Sequence, residues 1–483
     1  MNHNLLETSI QFNLRMAEHL EASHLDFLIW ASPLGCRDPE ELNLWHPIYF
    51  NQHPLKKIMR YVCGLCFYSL VGSLRFLIYK GFFYRTVLRR SSCLLIMPDE
   101  ITDHSSASKT DYILENHEAP VDRFVFSTQK RMNEVYSGLK WITRLQISFK
   151  LMQAIAKDLW YCYRHHIIRF TYLDVVMTYC RWVLGQYWYF QWDFYHCLST
   201  HIQKNPQYKI LLALHEMHLY SRLMWKIARD QKRKGVTVQH GFITPEKLWF
   251  FNNVSEIEKG CPTPHIFYVY DHSIQRTLEK HYPYTRFFLC CSPRFLKWKD
   301  FDTVRRSQKN RSFCILFASA LMFYEVALLI QAIRKLRVPP KGEKFHDYKI
   351  VLRLHPSVKF WHRVWLKFYK VFFKYSFFEQ SSLSLQEDLS RAGLVVGIGS
   401  TVLQEATILG IPVLNIKDEN YMTYTMFSPQ QCLEVAFENF SWDAVLSAAE
   451  NVPDIDLKME IRQGLGLKNP VFSTKFMFDS LSS

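Results

Sequence analysis

The stretch Leu394 to Ile416, LVVGIGSTVLQEATILGIPVLNI, leaves this chain the least choice of fold. An apolar run from Leu394 to Ile398 meets Gly399-Ser400-Thr401, continues in a short helical register from Val402 to Leu409, and stops at Gly410 before a second apolar run, Val413 to Ile416. That order reads as strand, tight turn, helix, strand. Thr401 with Gln404 three residues on fits a capping box, and Gly410 followed by Pro412 suits a left-handed helix stop. The unit predicts unpaired N–H groups at Ser400, Thr401 and Val402, at the carboxyl end of a parallel strand, where the helix dipole favours an anion such as a nucleotide phosphate. An ordinary βαβ unit with nothing in its mouth satisfies the same pattern.

Composition narrows the setting. The 483 residues suffice for two to three domains, and 48 % hydrophobic with 21 % charged residues describes a globular chain rather than a disordered one. With Lys plus Arg at 59 against Asp plus Glu at 44, the net charge of +15 favours polyanionic partners. No basic low-complexity tail and no nucleic-acid motif is visible, so nucleic acid is not expected among them. The 12 cysteines are scattered, and the start MNHNLLETSI lacks the order of a secretory signal, so a cytoplasmic protein is expected. Cys63 and Cys66 form a lone CxxC, and Cys162 with His165 and His166 has ligand-like spacing; both groups read as packed core or interface residues.

An extension and two domains follow along the chain. Residues 1–90 form an extension in which FLIWAS, from Phe27 to Ser32, reads as a buried strand. Within it, residues 55–90 alternate apolar runs with Lys56, Lys57, Arg60, Arg75, Lys80, Arg85, Arg89 and Arg90. The apolar run between Arg60 and Arg75 is shorter than the roughly 20 residues a spanning helix needs, leaving either an interfacial segment on acidic lipid or a buried amphipathic helix pair. Residues 91–300 read as a first Rossmann-like domain: CLLIMP, RFVFST, KILLALHE, GVTVQHG, HIFYVYD and RFFLCCSPR are strand candidates, with an aromatic helical insertion over 133–200. After a basic linker, residues 301–483 read as a second Rossmann-like domain with a helical tail, its strands including SFCILFASAL and YKIVLRLHPS.

Three polar clusters end predicted strands: Gln239-His240-Gly241, Arg353-Leu354-His355-Pro356, and Gly399-Ser400-Thr401 with Glu405 behind. Ligands of parallel sheets bind beyond the carboxyl strand ends, so all three can share one crevice. His240 is suited to take a proton from an acceptor hydroxyl or to meet a phosphate, or else holds its loop through a carbonyl. Arg353 and His355 share a strand edge and can reach one anion, unless Arg353 serves a structural carboxylate. Glu405 can accept from a ribose or sugar hydroxyl, or simply favour a helix start. Asp454 and Asp456 lie in the tail away from these clusters, so no metal is expected.

The order QHG, HP-type strand end, GST turn, QEA helix and GIPVL resembles the GT-B glycosyltransferases of bacterial surface and capsular polysaccharide synthesis: capsule Kdo transferases, HP/S-motif sialyltransferases and CDP-glycerol transferases. HIFYVYDHSIQRTLEK with Cys291-Ser292-Pro293-Arg294 resembles the same families' GSPR element, Cys291 standing where they have Gly. The resemblance covers about residues 205 to 420. It implies an α/β protein of two Rossmann-like domains of the GT-B type, here with a helical, aromatic-rich amino-terminal region, and a metal-independent enzyme without a cofactor. It puts Arg353, His355, Pro356, Gly399, Ser400, Thr401 and Glu405 on the phosphate and sugar of a CMP- or CDP-activated donor, and Gln239, His240 and Gly241 on the acceptor side. His240 and Glu216 are the catalytic candidates, with Asp99 or Glu100 as substitutes for Glu216. The partners implied are a nucleotide-activated sugar and a glycan or lipid-linked acceptor, met at the cytoplasmic face of a membrane. The nucleotide-sugar 2-epimerases share this helix motif, and a non-catalytic nucleotide-sugar-binding protein keeps the cleft without turnover.

Overall fold

In a computed structural model of the chain the described residues are 3–32, 35, 54–78, 82–88, 91–98, 121–127, 134–136, 140–185, 187–213, 219–239, 243, 250–270, 272–291, 314–319, 323–338, 348–355, 364, 366, 378–418, 433–450, 470 and 473–482. The strands are β1 (Phe82–Val87), β2 (Cys93–Pro98), β3 (Asp122–Ser127), β4 (Glu134–Tyr136), β5 (Ile210–Ala213), β6 (Lys234–Val238), β7 (Ile266–Val269), β8 (Arg286–Leu289), β9 (Cys314–Ala318), β10 (Lys349–Arg353), β11 (Glu379–Gln380), β12 (Ala392–Gly397), β13 (Val413–Lys417) and β14 (Leu433–Ala436). The helices before β5 are α1 (His3–Glu21), α2 (Asp26–Trp30), α3 (Pro54–Ile78), α4 (Trp141–Arg164), α5 (Phe170–Leu184) and α6 (Trp188–Lys204). Those of the first α/β series are α7 (Leu219–Asp230), α8 (Val254–Glu258) and α9 (His272–Glu279). The second series holds α10 (Phe323–Lys335), α11 (Leu385–Arg391), α12 (Thr401–Ile408), α13 (Trp442–Glu450) and α14 (Thr474–Ser482).

Two sheets result. The first is eight-stranded in the order β4-β1-β3-β2-β5-β6-β7-β8, parallel from β3 to β8 and antiparallel where β1 meets β3 and β4. The second is six-stranded and parallel, in the order β11-β10-β9-β12-β13-β14. Both central runs are buried: Leu94, Leu211, Phe267, Leu316, Leu352 and Val396 are all fully covered, as parallel strands with helices on both faces must be. The chain is thus an α/β protein of two Rossmann-like domains.

The amino-terminal region differs from its reading in two ways. Phe27 to Trp30 form the helix α2 rather than a strand, all four buried; a short apolar run cannot be told from a buried helical turn by periodicity. Of residues 55–90, Leu55 to Ile78 lie in one helix, α3, and Phe82 to Val87 form β1, which joins the first sheet beside β3. Helix α1 is tied in by buried polar bonds: Asn13 Nδ2 donates to Glu256 at 2.9 Å, Tyr179 donates to Asn13, and Ser32 donates to Tyr179 at 3.0 Å. Arg15 pairs with the fully buried Asp158, which also accepts from Tyr172 at 2.8 Å. The aromatic stretch, as expected, is helical: α4, α5 and α6 carry the chain from β4 to β5.

The last helix, α14, lies against the first sheet. Met477 is buried among residues of β2, β5 and β7, and Tyr268 bonds Ser480 at 2.6 Å. Nearby, the N–H of Cys291 donates to Pro470 at 2.8 Å.

Candidate functional site

The second sheet is laid down in two directions. From β9 the chain steps outward to β10 and β11, then returns to β12 on the other side of β9 and continues to β13 and β14. The carboxyl ends of β9 and β12 therefore flank the point where the strand order reverses, where connections diverge and leave a crevice. The residues there are Ser319 and Gly397 to Ser400. At Gly397 a Cβ would come within 3.2 Å of the Ala318 carbonyl and 3.3 Å of Leu403, so a side chain there would crowd both.

The Gly399-Ser400-Thr401 turn is built from specific bonds. Gly399 adopts φ 59, the left-handed region, and its N–H donates to Asn415 Oδ1 at 2.9 Å. Asn415 is fully buried in β13 and its Nδ2 donates to Glu434 at 3.0 Å, while Lys417 pairs with the other Glu434 oxygen at 2.6 Å. Ser400 is the N-cap of α12, its Oγ accepting from the Val402 N–H at 3.4 Å. The cap is thus one residue earlier than Thr401, and no capping box with Gln404 forms, because Thr401 already has helical geometry. At the other end Gly410 has φ 67, and the paired bonds Gly410 to Thr407 and Ile411 to Ala406, both 2.9 Å, close a Schellman stop as expected. Of the three N–H groups expected to be unpaired, Val402 is satisfied, while those of Ser400 and Thr401 have no partner among the described residues.

On the other side of β9, Ser319 stitches β10 in place. Its N–H donates to the Arg353 carbonyl and its Oγ accepts from the His355 N–H, each at 3.0 Å. His355 is half-buried, at the same carboxyl edge as Ser400 and separated from it by β9. Arg353 is anchored within its own domain: its Nη1 donates to Asp388 at 2.6 Å and to the Leu383 carbonyl at 2.8 Å. Asp388 is buried and also accepts from Ser381 at 2.7 Å, so the carboxylate gathers β10, the turn after β11 and α11. This is the structural-carboxylate alternative for Arg353. Burial and nearby Asp388 lift the Cys314 thiol at the start of β9 to about 11.

Glu405, expected near donor hydroxyls, is fully buried. Gln239 is buried too, and its side chain prolongs the β6–β7 ladder: Oε1 accepts from the Tyr270 N–H at 2.9 Å and the Gln239 carbonyl accepts from the Tyr270 hydroxyl. His240, Gly241, Glu216 and Pro356, with Asp99, Glu100, Asp454 and Asp456, lie outside the described residues. The first sheet also reverses its order, between β2 and β5.

Residues that the sequence reading passed over hold this site: Asn415, Ser319, Ser381 and Asp388. Asn415 carried a signal, because an amide inside the apolar run VLNI must find partners once buried. The other two readings shift. Cys63 and Cys66 are exposed on α3, which corrects the core reading. Only Cys162 of its cluster is buried, with His165 and His166 exposed. Among the described residues no group of three or more His, Cys, Asp or Glu side chains is arranged to hold a metal, and no helix is long and apolar enough to cross a membrane.

The sequence matches no protein-family model and no curated protein. Solved structures resemble the chain in outline. A UDP-GlcNAc 2-epimerase from Neisseria meningitidis bound to UDP-GlcNAc aligns over 81 % of this chain and 99 % of its own, with TM-score 0.41 and 12 % identity. Anabaena Alr3699/HepE in complex with UDP and glucose aligns over 82 % and 100 %, with TM-score 0.43 and 11 % identity. The glycosyltransferase SnogD from Streptomyces nogalater aligns over 81 % and 99 %, with TM-score 0.42 and 9 % identity. Likeness of this degree decides neither ligand nor reaction.

Proposed function

We propose that this chain is a GT-B glycosyltransferase that moves a sugar from a CMP- or CDP-activated donor onto a glycan or lipid-linked acceptor in surface polysaccharide synthesis. The observation that carries the reading is the Ser400-Thr401 turn: two N–H groups without partners among the described residues at the start of α12, at the reversal point of the second sheet. A donor phosphate there accepts from both amides, and His355, one strand beyond β9, adds a further donor. Arg353 acts through Asp388 as a positioning residue that fixes the β10 end. Stabilising the leaving phosphate by fixed dipoles lowers the barrier as charge develops on it. The acceptor hydroxyl gives its proton to His240 or Glu216, its oxygen bonds the anomeric carbon, and the bond from that carbon to the phosphate oxygen breaks.

Work at the cytoplasmic membrane face draws support from α3, whose Met59, Val62, Phe67 and Leu70 are exposed on a helix with Lys56, Lys57, Arg60 and Arg75 and no acidic residue. Calorimetry with CMP, CDP, UDP and GDP tests the donor reading: a cytidine nucleotide should bind, and His355→Ala should weaken it. Indifference to all four removes it. Release of free nucleotide from an activated sugar, lost in His240→Ala, marks transfer, whereas conversion of the sugar nucleotide without acceptor marks an epimerase.

A further inference from the structure

Helix α4 is apolar on two sides. Its inner side packs Ile147, Leu151, Ala154 and Ile155 into the core shared with α1 and α5. Its outer side, where a surface helix ordinarily carries polar groups, presents Ile142, Leu145, Phe149, Trp160 and Tyr163, each between 51 % and 64 % exposed. At 100° per residue these five fall within one stripe about 60° wide. Lys150, Lys157 and Arg164, spaced seven apart and all exposed, run beside it as a second row. The one acidic residue of the helix, Asp158, is fully buried against Arg15 and Tyr172, so the outer face carries cations alone. Arg164 sits over the Trp160 ring at 4.9 Å, and exposed Ile167, Ile168 and Arg169 extend the pattern beyond the helix end.

We propose that the outer face of α4 docks on an anionic lipid surface, with the apolar stripe entering the head-group boundary and the cation row on lipid phosphates. A row of aromatic and aliphatic side chains flanked by cations, with no anion, is complementary to a layer that is apolar within and negative at its surface. Trp and Tyr favour that boundary. Aromatic side chains and Arg164 suit protein interfaces as well, and it is the exposed Lys150 and Lys157 with no anion on the face that favour the lipid surface. The inference deepens the membrane-face reading and adds a contact distinct from α3.

The test is flotation of the full chain with vesicles of phosphatidylcholine alone and of phosphatidylcholine mixed with phosphatidylglycerol. Wild type should float with the mixed vesicles and release at high salt. Removing one cation near such a surface leaves about a fifth of the binding constant, so the triple substitution Lys150→Ala, Lys157→Ala and Arg164→Ala should weaken binding on the order of a hundredfold. Phe149→Ser with Trp160→Ser should also weaken it, by removing the inserted side chains. All five positions are exposed, so unchanged circular dichroism is expected and distinguishes lost docking from lost fold. If both variants float like wild type, the α4 proposal is overturned while a contact through α3 stands. If wild type floats with neither vesicle, both fall. A dimer in solution that both variants dissociate, without lipid binding, would assign the face to a second copy and overturn the proposal equally.

Discussion

Replacing Asn415 with Leu removes one side chain from the centre of the site while keeping its size. Two bonds go with it: the Gly399 N–H loses its acceptor at 2.9 Å and a Glu434 oxygen loses its donor at 3.0 Å. Gly399 is buried, so its orphaned N–H costs about 2 kcal/mol from the range for unsatisfied buried groups. Glu434 is partly exposed and keeps Lys417 at 2.6 Å, so its loss is nearer about 1 kcal/mol. The added apolar contact offsets roughly 1 kcal/mol. The net expectation is a destabilisation of about 2 kcal/mol, which at an m-value of roughly 2 kcal/mol/M lowers the urea midpoint by about 1 M. Circular dichroism of the full chain in urea measures it. Because the same amide holds Gly399 at φ 59, ahead of the Ser400 and Thr401 amides, cytidine nucleotide affinity should fall by at least about tenfold in calorimetry. A variant within about 0.5 kcal/mol of wild type, with unchanged nucleotide affinity, would refute the claim that Asn415 builds the turn.

Other outcomes follow from the same geometry. Asp388→Ala strips the partner from Arg353 and Ser381 and should cost about 3 kcal/mol in urea unfolding, at the lower end for a broken buried pair because Arg353 is 19 % exposed; Arg353→Met with Asp388→Leu should recover part of that loss. His196, packed against Trp192 and Phe27, is held neutral, burial pushing it down to about 4. Its folded pKa lies below the unfolded value near 6.5, so its contribution is present above about pH 6.5 and is lost as pH falls toward 4, amounting to on the order of 3 kcal/mol. His196→Phe should flatten the urea midpoint across that window, and an unchanged slope would count against it. Native thiol labelling should be fast at Cys63 and Cys66 and slow at Cys93, Cys180 and Cys290, where burial raises the thiols; rapid labelling of the buried set would contradict the packing.

The stretch from Leu394 to Ile416 was legible because its information is local. Apolar runs of strand length, a glycine that tolerates a left-handed turn and a Gly-Ile-Pro stop each act within a few residues, and β12, α12 and β13 lie within one or two residues of where the sequence puts them. The candidate CLLIMP coincides with β2, while β5 and β9 fall inside their longer candidates KILLALHE and SFCILFASAL. Where the information was not local the reading failed or stayed open. Phe27 to Trp30 is equally apolar as strand or helix, and packing against α6 decides for the helix. Thr401 and Ser400 are both capable caps, and the sharp turn at Gly399 selects Ser400.

Sequence alone thus determined that this chain alternates strand and helix, that its two sheets are parallel at their centres, and that small polar residues end particular strands; the antiparallel edge at β1 was not among these. Only the tertiary structure decided what those residues touch. Arg353 finds Asp388, Gly399 finds Asn415 and Ser319 clamps His355 because strand order, which no local pattern encodes, brings together residues 16 to 36 positions apart. Likewise, whether an apolar side chain is core or surface depends on which partner helix arrives: α1 and α5 cover one side of α4 and leave Phe149 and Trp160 in the open.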